Sequence, residues 1–194
     1  MSISPDAKAV LDRLYADDAR QREEGLPSAK RTRNLNHATG EFVNLLAKAM
    51  DAKRILEIGS SNGVSAIWWT AALAETGGQL IGTELMPERA AQANANLAEA
   101  GLSSLGQIVA GPAAETIKTL VPGFDIIFID AEKDDYLSHF DASFPLLRAG
   151  GLVIADNVIS HDLSNYQKML RARPDVQTST VPIGQGIEVS LKVG

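Results

Sequence analysis

The sequence contains no cysteine. That excludes a thiolate nucleophile, cysteine-held zinc and iron–sulfur clusters. No apolar run approaches the ~18 residues that a membrane span requires. The residues before Ser28 are charged and helix-like, with no basic stretch leading into an apolar core, so no secretory leader is read there. A cytoplasmic protein is the expectation. Basic charge is scarce in the body of the chain. Residues 55–194 hold 8 of the 18 Lys and Arg against 16 of the 24 Asp and Glu, a balance of −8. The first 54 residues hold 10 against 8. An acidic body argues against nucleic acid as partner, because duplex binding neutralises phosphates, and it suits a metal cation better.

What is present is the composition of an ordinary globular domain, 45% hydrophobic and 22% charged over 194 residues. A chain of this length buries enough surface to need no staple. One domain is expected, with residues 1–52 as a helical lid or dimerisation segment and 53–194 as the core. Ser4-Pro5 reads as an N-cap followed by proline at the first helical position, and Val10, Leu11 and Leu14 give a helical stripe. Residues 25–36 have no period and read as a loop. Phe42, Leu45, Leu46 and Ala49 mark a second helix.

Short apolar runs then alternate with helical ones. Strands are expected at Arg54–Ile58, Leu80–Thr83, Gln107–Ala110, Asp125–Ile129 and Leu152–Ala155. The helices between them are expected from Val64, over Glu88–Ala100, over Ala113–Leu120, over Tyr136–Leu147 and around Leu163–Arg171. Two closing strands, Val176–Val181 and Ile187–Val193, are joined by Pro182–Gly186 and are close enough for a hairpin. The pattern is that of an α/β protein, a mostly parallel seven-stranded sheet with helices on both faces and an antiparallel C-terminal hairpin. Ligands of such sheets sit beyond the carboxyl ends of the strands.

The residues at those ends carry the chemistry. Glu57-Ile58-Gly59-Ser60-Ser61-Asn62-Gly63-Val64-Ser65 follows the first strand. Glycines four apart allow a tight turn whose backbone approaches a ligand closely, although a plain strand-to-helix turn explains them too. Glu84 ends the second strand, 25 residues on from Gly59. A carboxylate there can accept from two ribose hydroxyls; a helix-capping Glu before Pro87 is the alternative. Asp130 ends the fourth strand, and Asp156-Asn157 ends the fifth. Neighbouring strands lie ~4.8 Å apart, so the three side chains can meet at one point. Three hard oxygen donors suit Mg²⁺ or a similar divalent cation; simple capping of the following helices would explain either aspartate alone. Lys133, read as one helical turn beyond Asp130, would hold its amine over the same pocket as a base.

Six stretches, LEIGSSNGVSA (56–66), GTELMPE (82–88), AGPAAE (110–115), FDIIFIDAEKDDY (124–136), GGLVIADNV (150–158) and VPIGQGIEVS (181–190), together resemble the cation-dependent, S-adenosylmethionine-dependent O-methyltransferase family. That family includes caffeoyl-CoA, catechol and bacterial enzymes. The resemblance covers residues 54–193 and implies a Rossmann-like methyltransferase fold. It implies that Glu57, Gly59, Gly63, Ser65, Glu84, Gly111, Ala113 and Asp130 surround the cofactor, with Glu84 on the ribose and Gly111 and Ala113 on the adenine side. Asp130, Asp156 and Asn157 resemble the ligands of Mg²⁺ (or Mn²⁺ or Ca²⁺), and Lys133 resembles the catalytic base. The implied reaction moves a methyl group to a metal-bound hydroxyl of a small acceptor with adjacent hydroxyls. The alternatives are a metal-independent N- or C-methyltransferase and a non-catalytic cofactor-binding protein. A homodimer is expected, with no nucleic acid or membrane partner.

Four further features read as structural. At least one of Trp68 and Trp69 belongs to the core, since adjacent positions cannot share one helix face. His139 reads as solvated, whereas His161 lies nearer the site. Lys30, Arg31 and Arg33 read as a solvated run, with contact to a substrate phosphate or carboxylate as the alternative.

Overall fold

In the computed structural model, which describes residues 3–27 and 31–194, helix α1 runs Pro5–Glu23. Ser4 accepts the Ala7 amide at 3.2 Å, and Pro5 sits where a missing N–H costs nothing. Helix α2 runs His37–Ala49, capped by Asn36, which accepts the Ala38 amide at 2.9 Å. Five strand–helix units follow: β1 Arg54–Ile58, α3 Val64–Thr76, β2 Gln79–Glu84, α4 Pro87–Glu99, β3 Gly106–Ala110, α5 Ala113–Thr119, β4 Phe124–Ile129, α6 Tyr136–Ser143, β5 Leu147–Ala155 and α7 Ser164–Ala172. The chain closes with β6 Val176–Val181 and β7 Ile187–Lys192. The sheet order is β3-β2-β1-β4-β5-β7-β6, with β7 antiparallel to both of its neighbours and the other pairs parallel.

The register is what builds a site. Val109, Thr83, Ile58, Ile129 and Ala155 lie level across five strands. The residues one step further on are therefore Ala110, Glu84, Gly59, Asp130 and Asp156. Four of these five are the residues singled out from the sequence, brought into one row although 97 positions separate Gly59 from Asp156. The row straddles the point between β1 and β4 where the strand order reverses, which is where open α/β sheets bind ligands.

Side chains alternate between two cores. Ile55, Ile126, Phe128 and Ile154 face α1–α4, whereas Leu56, Ile127, Ile129 and Val153 face α5–α7. Each fully buried side chain of this size contributes roughly 1.5–3 kcal/mol. The apolar stripe of α1, formed by Ala7, Val10, Leu11 and Leu14, is covered within the chain, in one cluster with α2, α3 and α4.

Two expectations change, and the one for the tryptophans is met by both residues. The buried side of α2 is Gly40, Val43, Asn44 and Ala47, while Leu45 and Ala49 are exposed. The small residues win because α2 must approach Trp68: a Cβ on Gly40 would overlap that indole, and Asn44 donates to the Trp68 carbonyl at 2.8 Å. Both tryptophans are core, because α3 is covered on one side by α1 and α2 and on the other by the sheet. Trp69 meets Phe128 edge-on at 5.5 Å, and Trp68 donates to the Tyr15 hydroxyl at 3.1 Å. Helix α6 stops at Ser143 and gives way to a 3₁₀ turn over Phe144–Leu146. Pro145 cannot donate to the preceding turn. Strand β5 consequently begins at Leu147 and passes a register shift opposite Phe124–Ile126 before regular pairing resumes at Leu152.

Candidate active site

A cleft of about 670 Å³ opens over the row of strand ends. Gly59, Glu84, Gly111, Ala113, Asp130, Lys133, Asp156 and Asn157 all line it. Glu57, Gly63 and Ser65 do not. Gly63 caps α3 with φ 90° and packs against Ala93 of α4. Glu57 is fully buried beneath the turn, where Ser60 donates to it at 2.5 Å. Burial pushes its carboxyl up to about 7, against the opposing pull of the Ser60 and Ser65 hydroxyls. Glu57 and Ser65 therefore shape the turn from behind and do not line the cleft.

The turn itself is held by backbone bonds. Gly59 and Ser60 both donate to the Thr83 carbonyl at 3.0 Å. Gly59 has φ 94°, and a Cβ there would run into the Asp130 carbonyl, so only glycine lets β1 and β4 end this close together. Glu84 is 8% exposed. Its Oε2 accepts the Ser61 amide at 2.8 Å and its Oε1 the Met86 amide at 3.0 Å. Both oxygens are thus oriented by backbone donors, with lone pairs left over.

On the β4–β5 side the carboxylates converge. Asn157 Nδ2 lies 2.9 Å from Asp130 Oδ1 and 3.0 Å from Asp156 Oδ2. Asn157 adopts φ 68°, a left-handed conformation that asparagine tolerates better than most residues. Burial first, and the Asp130 carboxylate second, push Asp156 up to about 7. Burial also raises Asp130, outweighing the opposing charge of Lys133. Asp156 Oδ1 is buried with no hydrogen-bond partner. The two carboxylates share one ammonium, that of Lys133 beside Asp130, and Asp156 keeps an orphaned buried oxygen; an amide that turns its oxygen inward makes a third hard donor. Among the described residues no cluster of three or more His, Cys, Asp or Glu exists, so the donor set is two carboxylates and one amide.

Lys133 reaches this group by a different route from the one expected. Residues 130–132 are not helical; Lys133–Asp135 form a 3₁₀ turn before α6. The amine still lies 3.3 Å from Asp130 Oδ1 and donates to the Tyr136 hydroxyl at 2.7 Å. Tyr136 in turn donates to the Asp156 carbonyl at 3.0 Å. Burial, then Asp130 and Asp156, push the Tyr136 phenol far above its ordinary value, so it keeps its proton. With that proton committed to Asp156, the Tyr136 oxygen can only accept, which fixes the position of the amine.

Tyr136 is a site residue that sequence reading placed merely at a helix start. The cue was its spacing of three from Lys133, in a motif already noted. His139 is also corrected: it lines the cleft half-buried, and burial holds its imidazole below the usual value. His161 lines the cleft as anticipated. Arg31 lines the cleft half-buried, whereas Arg33 is exposed at the cleft rim, as the solvated reading has it, and pairs with Glu132 at 2.8 Å. Lys30 lies outside the described residues.

The chain matches the family model described as O-methyltransferase over residues 2–193. It is 41% identical over 152 residues to a catechol O-methyltransferase of Niastella koreensis, covering 76% of this chain and 66% of that protein. It is 40% identical over 121 residues to one of Mycobacterium tuberculosis, covering 62% and 54%. The matched part thus spans between about half and two thirds of these curated relatives. A Streptomyces achromogenes O-methyltransferase involved in tomaymycin synthesis, solved in complex with SAM, superposes with TM-score 0.79 at 30% identity, covering 93% of this chain and 89% of that one. Its Rossmann-like fold is that of methyltransferases, and with nearly every residue inside the family match the chain belongs to the O-methyltransferase family.

Proposed function

We propose that this protein transfers the methyl group of S-adenosylmethionine to a hydroxyl of a small aromatic acceptor carrying adjacent hydroxyls, with one divalent cation such as Mg²⁺ held by Asp130, Asp156 and Asn157. The observation that carries the reading is the orphaned Asp156 oxygen, set among two carboxylates, an amide and a lysine on the wall of the glycine-turn cleft. The cation would supply Lewis acidity, lowering the pKa of an acceptor hydroxyl. The protein's own groups do the rest. Glu84, oriented by two amides, accepts from the ribose hydroxyls. The Gly59 turn admits the methionine portion, and Gly111 and Ala113 border the adenine. Lys133, steadied by Tyr136, takes the hydroxyl proton while the oxygen attacks the methyl in line with the departing sulfur. Holding the two reactants in that line supplies several kcal/mol of the barrier reduction.

The test is transfer of labelled methyl from S-adenosylmethionine to a panel of vicinal-dihydroxy phenols with Mg²⁺, repeated in EDTA. Transfer lost in EDTA supports the reading, and EDTA-resistant transfer favours a metal-independent methyltransferase. Glu84→Ala should weaken S-adenosylhomocysteine binding by ~1.5–3 kcal/mol, the worth of hydrogen bonds to a charged group. Calorimetry returning wild-type affinity for that variant removes Glu84 from the ribose site.

A further inference from the structure

We infer that Arg31 is the anion seat of this cleft, receiving a carboxylate carried by one of the two reactants. The inference rests on the methyltransferase reading above. Three other cationic side chains of the cleft wall are matched within the protein: Arg22 with Asp18 at 2.8 Å, Arg33 with Glu132 at 2.8 Å and Lys133 with Asp130 at 3.3 Å. Arg31 also lines the wall, yet it forms no ion pair with any described residue, and its Nε is buried with no hydrogen-bond partner. Burying a guanidinium N–H unpaired is costly, and such a group persists where a ligand supplies the acceptor.

The backbone beside it is pinned on both sides of the cleft. The Thr32 amide donates to Gln21 Oε1 at 3.0 Å, and the Thr32 carbonyl accepts from Ser61 Oγ at 2.8 Å. Asn34 Nδ2 donates to the Leu14 carbonyl at 2.8 Å. Arg31 is thereby tied to α1 and to the glycine turn at once. Its planar fork matches a carboxylate with two parallel hydrogen bonds, a geometry that a lysine cannot reproduce. Two carboxylates can reach such a seat: that of the methionine portion of S-adenosylmethionine, and an acid substituent on the acceptor.

Paired probes separate the sources, measured by equilibrium binding to the full chain with Mg²⁺ present. S-adenosylhomocysteine carries the amino-acid carboxylate and 5′-methylthioadenosine does not. Bound alongside S-adenosylhomocysteine, 3,4-dihydroxybenzoate carries an acid and catechol does not. Arg31→Gln should weaken the charged member of one pair about 10- to 100-fold while leaving its neutral partner unchanged. Loss confined to S-adenosylhomocysteine assigns the seat to the cofactor; loss confined to dihydroxybenzoate assigns it to the acceptor. Unchanged affinities for all four probes, or equal losses for charged and neutral members, overturn the inference. Failure of the wild-type protein to bind S-adenosylhomocysteine is the distinct failure of the methyltransferase reading, and it removes the inference as well. Arg31→Lys, which keeps the charge and the fold but loses the fork, should recover only part of the lost affinity.

Discussion

Asp156→Ala is expected to abolish methyl transfer while leaving S-adenosylhomocysteine affinity within a few fold. The asymmetry follows from the sheet. Glu84 ends β2 and Gly59 follows β1, whereas Asp156 follows β5, so on the proposed mechanism the substitution touches the cation and acceptor side alone. If the proposed cation is held there, losing its Lewis acidity would cost several kcal/mol, a rate loss of roughly 10³-fold or more. Collapse of the fold is not the expected cause. The native carboxyl is raised to about 7 by burial and by Asp130, so the folded state is strained by its charge at neutral pH and gains by its removal. The thermal midpoint of the variant should therefore match or exceed that of the wild type at pH 8. The sign is fixed by linkage: a carboxyl whose pKa is raised on folding contributes stability only at low pH, and that contribution is lost as pH rises through about 7. Asp156→Ala protein that transfers methyl at the wild-type rate in EDTA would remove the cation from the mechanism.

Lys133→Met should lower kcat by ~10²–10⁴, the usual worth of a positioned general base, with little change in cofactor affinity. Methionine keeps the length and the apolar stem, so packing beside Tyr136 survives. What disappears is the proton acceptor, together with the ion pair to Asp130 and the bond to the Tyr136 hydroxyl. The adjacent Glu132 does not compensate: it is engaged by Arg33, whose hydrogen bond and charge hold it below the usual range. The deficit should shrink as pH rises, because the acceptor hydroxyl then loses its proton to solvent base. Tyr136→Phe offers an internal comparison. It leaves the amine in place but removes its anchor, so the expected loss is smaller and falls on kcat. A Lys133→Met protein with normal kcat at pH 7 would reduce Lys133 to the partner of Asp130.

Much of this was legible in the order of residues. The switch between short apolar runs and a period of 3.6 marks most of the strands and helices, because a strand buried on both faces and a helix buried on one leave different apolar spacings. Asp130, Asp156 and Glu84 were visible as acidic side chains immediately after apolar strands, where a sheet of this kind binds ligands. Lys133 was visible only through its closeness to Asp130 in sequence. The first half of β5 is not legible, because Arg148, Ala149, Gly150 and Gly151 carry no strand pattern and lie in the irregularity between the Phe124–Leu147 and Ile126–Leu152 pairs.

The chain's order of residues thus determined the elements and the strand ends, through local periodicity, capping and turn chemistry. Tertiary packing decided which side chains look into the cleft. Glu57 and Ser65 lie two positions from Gly59 and Gly63 in sequence, yet they sit beneath the turn, because the pleat and the helix start point them inward. Arg31 and Arg33 look like any polar loop until bonds to Gln21, Ser61 and Glu132 draw them over the cleft. Leu45 faces outward and both tryptophans face inward because α2 needs small residues to reach α3, and α3 is covered on two sides. Periodicity reports how apolar a face is. Only the approach of distant segments determines what that face meets.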